Sequence, residues 1–135
     1  MAKPDGAQWF DSDACWRYVG RWSGLVAREL IEWLAMPEGA DWLDVGCGPG
    51  PLAGAILERA APRRVRGVDL SPQFVAAARE RITDERASFA VDDAMDLGGE
   101  LDAAYDAVVS GLVLNFLPDP QVGVRAMQRV VKPGG

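Results

Sequence analysis

The run Trp42-Leu43-Asp44-Val45-Gly46-Cys47-Gly48-Pro49-Gly50 constrains this chain more than any other segment. A short apolar strand passes into a turn with glycine at alternate positions. Glycine has no Cβ, so such a turn bends sharply and lets backbone come close to a ligand. The strand is apolar almost throughout, as expected of a strand covered on both faces in a parallel sheet. A second strand ends in an acid at Asp69, roughly 20 residues past the turn, the spacing of a carboxylate that holds a ribose.

The remaining pattern extends this start. Ser23 is a candidate N-cap, and Val26, Leu30, Trp33 and Leu34 fall at i, i+4, i+7 and i+8, predicting one apolar helix face that Pro37 and Gly39 terminate. Strands are expected at 41–46, 64–69, 87–91 and 105–110. Helices are expected at 51–60 (Leu52, Ala55, Ile56 and Ala60 inward), at 71–82 (Phe74, Val75, Ala78 and Ile82) and from Asp119-Pro120 onward (Ala126, Met127 and Val130). Ser71-Pro72 and Asp119-Pro120 each place a cap before a proline at the first helical position. Segment 92–104, rich in Asp and Gly, reads as a loop. Strands alternating with helices predict a doubly wound, Rossmann-like α/β fold, with a mostly parallel sheet and helices on both faces. Residues 1–40 are expected to form an N-terminal arm and helix, and 41–135 the nucleotide-binding part. The closing Lys132-Pro133-Gly134-Gly135 is a turn. The sheet is therefore expected to be incomplete on its C-terminal side, as the front part of a larger domain, with strand four an open edge unless an oligomer covers it.

Composition removes several classes. The chain has 135 residues and a net charge of −6, which disfavours nucleic acid as the partner because phosphate binding relies on Lys and Arg. There is no histidine, so within this chain His-based zinc sites and Ser-His-Asp or Cys-His machinery are excluded, and no metal is expected. Two cysteines, Cys15 and Cys47, do not make a disulfide framework, and a cytoplasmic setting is expected. No apolar run reaches bilayer-spanning length, so no membrane partner is expected. Trp9, Phe10, Trp16, Tyr18 and Trp22 concentrate aromatics at the N-terminus, where they either cover a core edge or face a ligand.

Three nucleotide ligands compete for the glycine turn. A P-loop requires Gly-Lys-Ser/Thr, which is absent. A dinucleotide site favours G-x-G-x-x-G, whereas Gly46, Gly48 and Gly50 give G-x-G-x-G followed by Pro51. Pro49 and Pro51 also remove two N–H donors where a pyrophosphate needs them. The turn suits a nucleoside with an uncharged or zwitterionic tail. Asp69 accepts from two vicinal hydroxyls in this reading. Asp92-Asp93, after strand three, faces the same crevice and offers an acceptor for an exocyclic amine. Ser110-Gly111 closes strand four and offers a backbone carbonyl to an ammonium group.

Together these segments resemble the class I S-adenosylmethionine-dependent methyltransferases, in particular their small-molecule branch. The resemblance rests on Leu43-Asp44-Val45-Gly46-Cys47-Gly48-Pro49-Gly50, Val68-Asp69-Leu70-Ser71-Pro72, Asp93-Ala94, Tyr105-Asp106-Ala107-Val108-Val109-Ser110 and Arg129-Val130-Val131-Lys132-Pro133-Gly134-Gly135. It implies S-adenosyl-L-methionine as cofactor and methyl transfer by in-line displacement to a small-molecule acceptor. It also implies roles: Asp44, Gly46, Cys47, Gly48 and Gly50 along the methionine and sugar, Asp69 on both ribose hydroxyls, and Leu70 against the adenine ring. Asp93 takes the adenine amine with Ala94 beside it, Ser110 meets the amino end through its backbone, and Arg21 or Tyr18 reaches the carboxylate. Many relatives place a His near the position of Asn115, and its absence leaves the acceptor chemistry and any general base open. The competing readings are a non-catalytic cofactor-binding fragment and a nicotinamide-dependent oxidoreductase.

Overall fold

The computed structural model describes Arg17 and residues 21–135, with the side chain of Arg21 outside that set. The chain runs α1 (Arg21–Leu34), β1 (Asp41–Val45), α2 (Pro51–Arg59), β2 (Arg64–Asp69), α3 (Pro72–Arg81), β3 (Ala87–Val91), β4 (Ala107–Val109), a 3-10 turn (Leu114–Phe116) and α4 (Pro120–Val130). The four strands form one sheet in the order β3-β2-β1-β4, and all three pairings are parallel. The strand order reverses at β1: β2 and β3 follow on one side and β4 on the other. That reversal opens a crevice at the carboxyl ends of β1 and β4, where open α/β sheets bind ligands.

Both faces of the sheet are covered. Trp42, Val65, Phe89 and Val109 pack on one face with Ala27 and Ile31 of α1, Leu52 and Ile56 of α2, and Val75 and Ala78 of α3. Leu43, Val45 and Val68 pack on the other with Leu97, Tyr105, and Ala126 and Val130 of α4. This two-faced burial explains why β1 is buried along its whole length, and it is the doubly wound arrangement that the alternation of elements predicts.

Three expectations are corrected. Helix α1 already starts at Arg21, so Ser23 lies within its first turn and is not its N-cap. The inward face of α1 is Ala27 and Ile31, supported by Leu30 and Leu34, whereas Val26 and Trp33 are 55% and 79% exposed. The stripe is thus turned by about one residue from the expected one, because the face of α1 that shares a buried cluster with Leu52 and Ile56 of α2 is the one carrying Ala27 and Ile31. Strand four is Ala107–Val109, shorter than 105–110. Tyr105 instead forms an isolated parallel bridge with Val131 on leaving α4, and Lys132 N–H donates to the Tyr105 carbonyl at 2.8 Å.

Segment 92–104 is a loop, held by Arg129 and Arg66. The Arg129 guanidinium donates to the carbonyls of Leu97 (2.8 Å), Asp96 and Glu100 (3.2 Å each) and pairs with Asp102. Buried Glu100 accepts from Arg66 and from the Tyr105 hydroxyl, whose pKa is pushed up by burial and by that carboxylate. Loop backbone is otherwise costly to bury beneath a sheet, and these bonds supply its partners.

Candidate active site

The glycine turn is shaped by its own hydrogen bonds. Gly46 and Cys47 N–H both donate to the Val68 carbonyl (2.8 and 2.9 Å), Gly48 N–H to Asp69 Oδ2 (2.9 Å), and Gly50 N–H to the Cys47 carbonyl (3.0 Å). Pro49 and Pro51 have no N–H. From Gly46 to Pro51, every backbone donor is therefore either spent inside the fold or missing. Gly46 sits at φ +73, and a Cβ there would lie 2.5 Å from a Val113 methyl. Only glycine fits both the backbone angle and the close approach of Val113. Gly50, at φ +100, starts α2 with no side-chain cap.

Above this turn lies a cavity of about 470 Å³. Its wall includes Asp44, Gly46, Cys47, Gly48 and Asp69, together with Phe74 of α3, residues 111–113 and Phe116, and Val26, Ala27 and Leu30 of α1. The two strand-end carboxylates thus face one space.

Asp44 is 1% exposed, and its Oδ2 has no hydrogen-bond partner. Burial, then the negative charge of Asp69, pushes its pKa up to about 7, with the Ala53 N–H in the first turn of α2 opposing. Asp69 is also raised, by burial, against the N–H groups of Ser71 and Gly48. Its Oδ1 accepts from Ser71 N–H and its Oδ2 from Gly48 N–H, both at 2.9 Å. A carboxylate oxygen accepts two bonds, so each retains capacity toward the cavity. Ser71 Oγ caps α3 by accepting from Phe74 N–H at 3.4 Å, so Asp69 is not that helix's N-cap residue. Burial and the two aspartates hold the Cys47 thiol far above its usual range, which removes it as a thiolate nucleophile.

The other sequence-predicted residues stand outside this wall. Leu70 is 67% exposed. Asp93 is exposed, its Oδ1 accepting from Met95 N–H at 2.8 Å, and Ala94 follows it in that turn. The Asp92 N–H donates to the Asp69 carbonyl at 3.1 Å, which keeps the start of this segment beside Asp69. Ser110 is half-buried and its Oγ donates to the Val45 carbonyl at 2.9 Å, tying the end of β4 to the end of β1. Gly50 lines a neighbouring groove with Arg28, Glu58 and Ile82. Tyr18 and the Arg21 side chain lie outside the described residues. Phe74, Leu112, Val113 and Phe116 were not singled out from sequence as site residues; the loop after β4 has no periodicity, and its one available signal is the run of apolar residues following Gly111. Among the described residues, no group of three or more Cys, Asp and Glu side chains is placed to hold a metal ion.

Residues 43–135 match the model of the methyltransferase-domain family, and the chain belongs to that family. It is a class I fold whose family cofactor is S-adenosyl-L-methionine. Among individual proteins, it is 32% identical over 130 residues to the ubiquinone biosynthesis O-methyltransferase of Xanthomonas campestris, covering 95% of this chain and 53% of that protein. It is 39% identical over 118 residues to the 2-methyl-6-phytyl-1,4-hydroquinone methyltransferase of Synechocystis, covering 87% of this chain and 34% of that one. In structure it superposes on a chain of the complex between the Haloferax volcanii Trm112 methyltransferase activator and a methyltransferase, with a TM-score of 0.82, 25% identity, and coverage of 100% of this chain and 59% of that one. The chain spans about half the length of the first of these relatives.

Proposed function

We propose that this chain binds S-adenosyl-L-methionine in the cavity above the glycine turn and that the whole protein transfers its methyl group to a small-molecule acceptor. The observation that carries this reading is the pairing of two carboxylates on one cavity, buried Asp44 and half-buried Asp69, over a turn with no backbone N–H left for a phosphate. Such a site repels a pyrophosphate and attracts a ligand with positive charge and free hydroxyls. S-adenosyl-L-methionine supplies a methyl group on a positively charged sulfur, already activated for displacement. In this reading Asp69 takes the ribose hydroxyls with the free capacity of its two oxygens. Asp44 faces the positive methionine part with its unpartnered Oδ2. Leu70, Asp93 and Ala94, continuing from the Asp69 side, are assigned the adenine; Ser110 is assigned the amino end and Arg21 the carboxylate.

The chain's own contribution to chemistry is alignment and exclusion of water. Among the described wall residues, the titratable side chains are Asp44, Asp69 and Cys47. Cys47 is inert, and Asp69 is engaged by Gly48 and Ser71. In the resulting in-line displacement, the acceptor's nucleophile bonds the methyl carbon as the carbon–sulfur bond breaks, and the sulfur retains the bonding pair. Any acceptor proton leaves to solvent. Soluble, cytoplasmic action is part of the proposal; among the described residues no helix is long and apolar enough to cross a membrane.

Calorimetric titration with S-adenosylmethionine and, separately, with NAD tests this. Saturable binding of the first and none of the second is expected. Asp69→Asn, which keeps the side-chain shape but gives up one acceptor oxygen, should weaken binding about tenfold or more, the scale of one charged hydrogen bond. Binding of NAD alone, or unchanged affinity in Asp69→Asn, would overturn the assignment.

A further inference from the structure

Asp92 and Asp93 stand side by side after β3, and their hydrogen bonds give them different roles. Asp92 spends both oxygens inside the loop: Oδ1 accepts from Asp93 N–H at 2.8 Å and Oδ2 from Gly99 N–H at 3.1 Å. Asp93 is exposed and spends Oδ1 on Met95 N–H. Among the described residues, Asp93 Oδ2 is therefore the one oxygen of the pair left open for a ligand. Its direction is set from behind the loop. The Asp93 carbonyl accepts from the N–H groups of Asp96 (3.0 Å) and Leu97 (2.7 Å). The carbonyls of those same two residues accept from Arg129 Nη2, at 3.2 and 2.8 Å, and Arg129 Nη1 reaches the Glu100 carbonyl at 3.2 Å. One guanidinium at the end of α4 thus lies two hydrogen-bonded steps behind Asp93.

Leu97, the residue in the middle of this chain of bonds, is fully buried and holds φ +51, left-handed backbone that a leucine keeps only when its surroundings fix it. Three carbonyls converging on one planar, five-donor fork supply that constraint, and a single ammonium has no matching geometry. The ion pair with Asp102 is secondary: that carboxylate is 73% exposed, and water replaces much of its effect. We propose that Arg129 is a positioning residue for base recognition. Through Asp96 and Leu97 it holds Asp93 where the open oxygen meets the exocyclic amine of the donor's adenine. The inference rests on the reading of Asp93 given above. It goes further by tracing the preference for a 6-amino purine to a cation that is not part of the cavity wall.

The full chain is titrated calorimetrically with S-adenosylhomocysteine and with its 6-deamino analogue, in which hydrogen replaces the amine. The ratio of the two affinities is the readout, because a loss of folded protein weakens both equally and cancels. The unaltered chain should favour the amine about tenfold, the scale of one hydrogen bond to a charged group. Arg129→Lys should bring that ratio below about threefold, since the fork is lost and the charge kept. Asp93→Ala should do the same, Asp102→Asn should leave the ratio unchanged, and Asp69→Asn should weaken both ligands alike. In the ligand-free chain, the Asp96 and Leu97 amides should exchange with deuterated water faster in Arg129→Lys. Should that variant not fold, Arg129→Gln, which keeps two donors, is read in the same way. A ratio that Asp93→Ala abolishes and the Arg129 variant leaves intact overturns the proposal, as does unchanged exchange at both amides. A ratio near one in the unaltered chain removes Asp93 from the adenine, and the proposal falls while the ribose assignment stands. Binding of neither ligand sinks the donor reading itself, and the proposal with it.

Discussion

Strand β1 carries a buried aspartate near each end, and the two live in opposite surroundings. Asp41 and Asp44 are each 1% exposed. At the amino end, Asp41 pairs with the Arg63 guanidinium through both oxygens and lies 3.2 Å from Arg64 Nε. Register explains this: Asp41 is the partner of Arg64 across the β1–β2 ladder, so the turn into β2 delivers two cations to it. At the carboxyl end, Asp44 is opposite Gly67, has one oxygen without a partner and has another carboxylate for a neighbour. A buried charge is retained in a fold when it is paired. An unpaired one beside a cavity stores a demand for positive charge, which a ligand can meet. The difference separates a carboxylate satisfied within the fold from one left open beside a cavity, without reference to any relative.

The largest expected effect lies in the pH dependence of Asp44. Its folded pKa, about 7, stands above its ordinary value of 3.8. The folded state therefore holds a proton that the unfolded chain has released, and stability falls as pH rises from about 4 to about 7. The total is on the order of 4 kcal/mol. Asp84 and Asp106 act in the opposite sense, their pKa values lowered chiefly by the side-chain hydrogen bond from Arg86 and by the backbone N–H of Asp41 respectively. The comparison must therefore be between chains. Asp44→Asn should gain stability relative to the unaltered protein across this window, seen as a urea midpoint difference that grows with pH and levels off above about 7. A constant difference would mean that Asp44 is ionised throughout. Positive charge from a bound donor would favour ionised Asp44, so affinity for S-adenosylmethionine should rise over the same window.

Next in size is removal of the cations at the other end. Arg63→Ala with Arg64→Ala leaves Asp41 buried without a guanidinium and should lower the urea midpoint at pH 7, because the uncompensated carboxylate stays in the fold. The double variant should leave donor affinity unchanged, because the site is at the far end of β1. Loss of affinity at constant fold would mean the two ends communicate through the strand.

Much of this contrast could be read from sequence at one end only. The apolar run, the alternate glycines and the spacing to Asp69 pointed to the turn and its carboxylate, because those features answer to local backbone geometry. The two donors missing at Pro49 and Pro51 are visible in the sequence itself, and the structure adds that the surviving N–H groups of the turn are all engaged. The role of Asp41 is not legible in the sequence, since it depends on which residue of β2 lies alongside it, and register is not visible in a single strand. The phase of α1 is hidden in the sequence for a different reason. Apolar residues at 22, 25, 26, 27, 30, 31, 33 and 34 define overlapping stripes, and only contact with α2 selects the one containing Ala27 and Ile31. The apolar half of the cavity is not legible in the sequence because Val113 and Phe116 belong to a segment without strand or long-helix periodicity, and only the end of β4 brings Val113 over Gly46.

The smallest expected effect tests whether the amino end works as a network or as one pair. Asp106 accepts from Asp41 N–H at 2.8 Å and from Lys132 Nζ at 2.8 Å, so it joins β1, β4 and the residues after α4. Both members of the lysine pair are substantially exposed, Lys132 at 40% and Asp106 at 34%. Water replaces much of the ammonium's effect at such a site, and an exposed pair of this type contributes about 0.5 kcal/mol. Lys132→Ala should therefore shift the urea midpoint only slightly, and the shift should shrink further in 1 M salt. The backbone bond from Asp41 remains, and with it the geometry that holds the strand ends together. If Lys132→Ala costs as much as the double arginine variant, Asp41, Asp106 and their cations stabilise the fold as one coupled cluster, and the simple opposition between a paired and an unpaired aspartate has to be redrawn around that cluster.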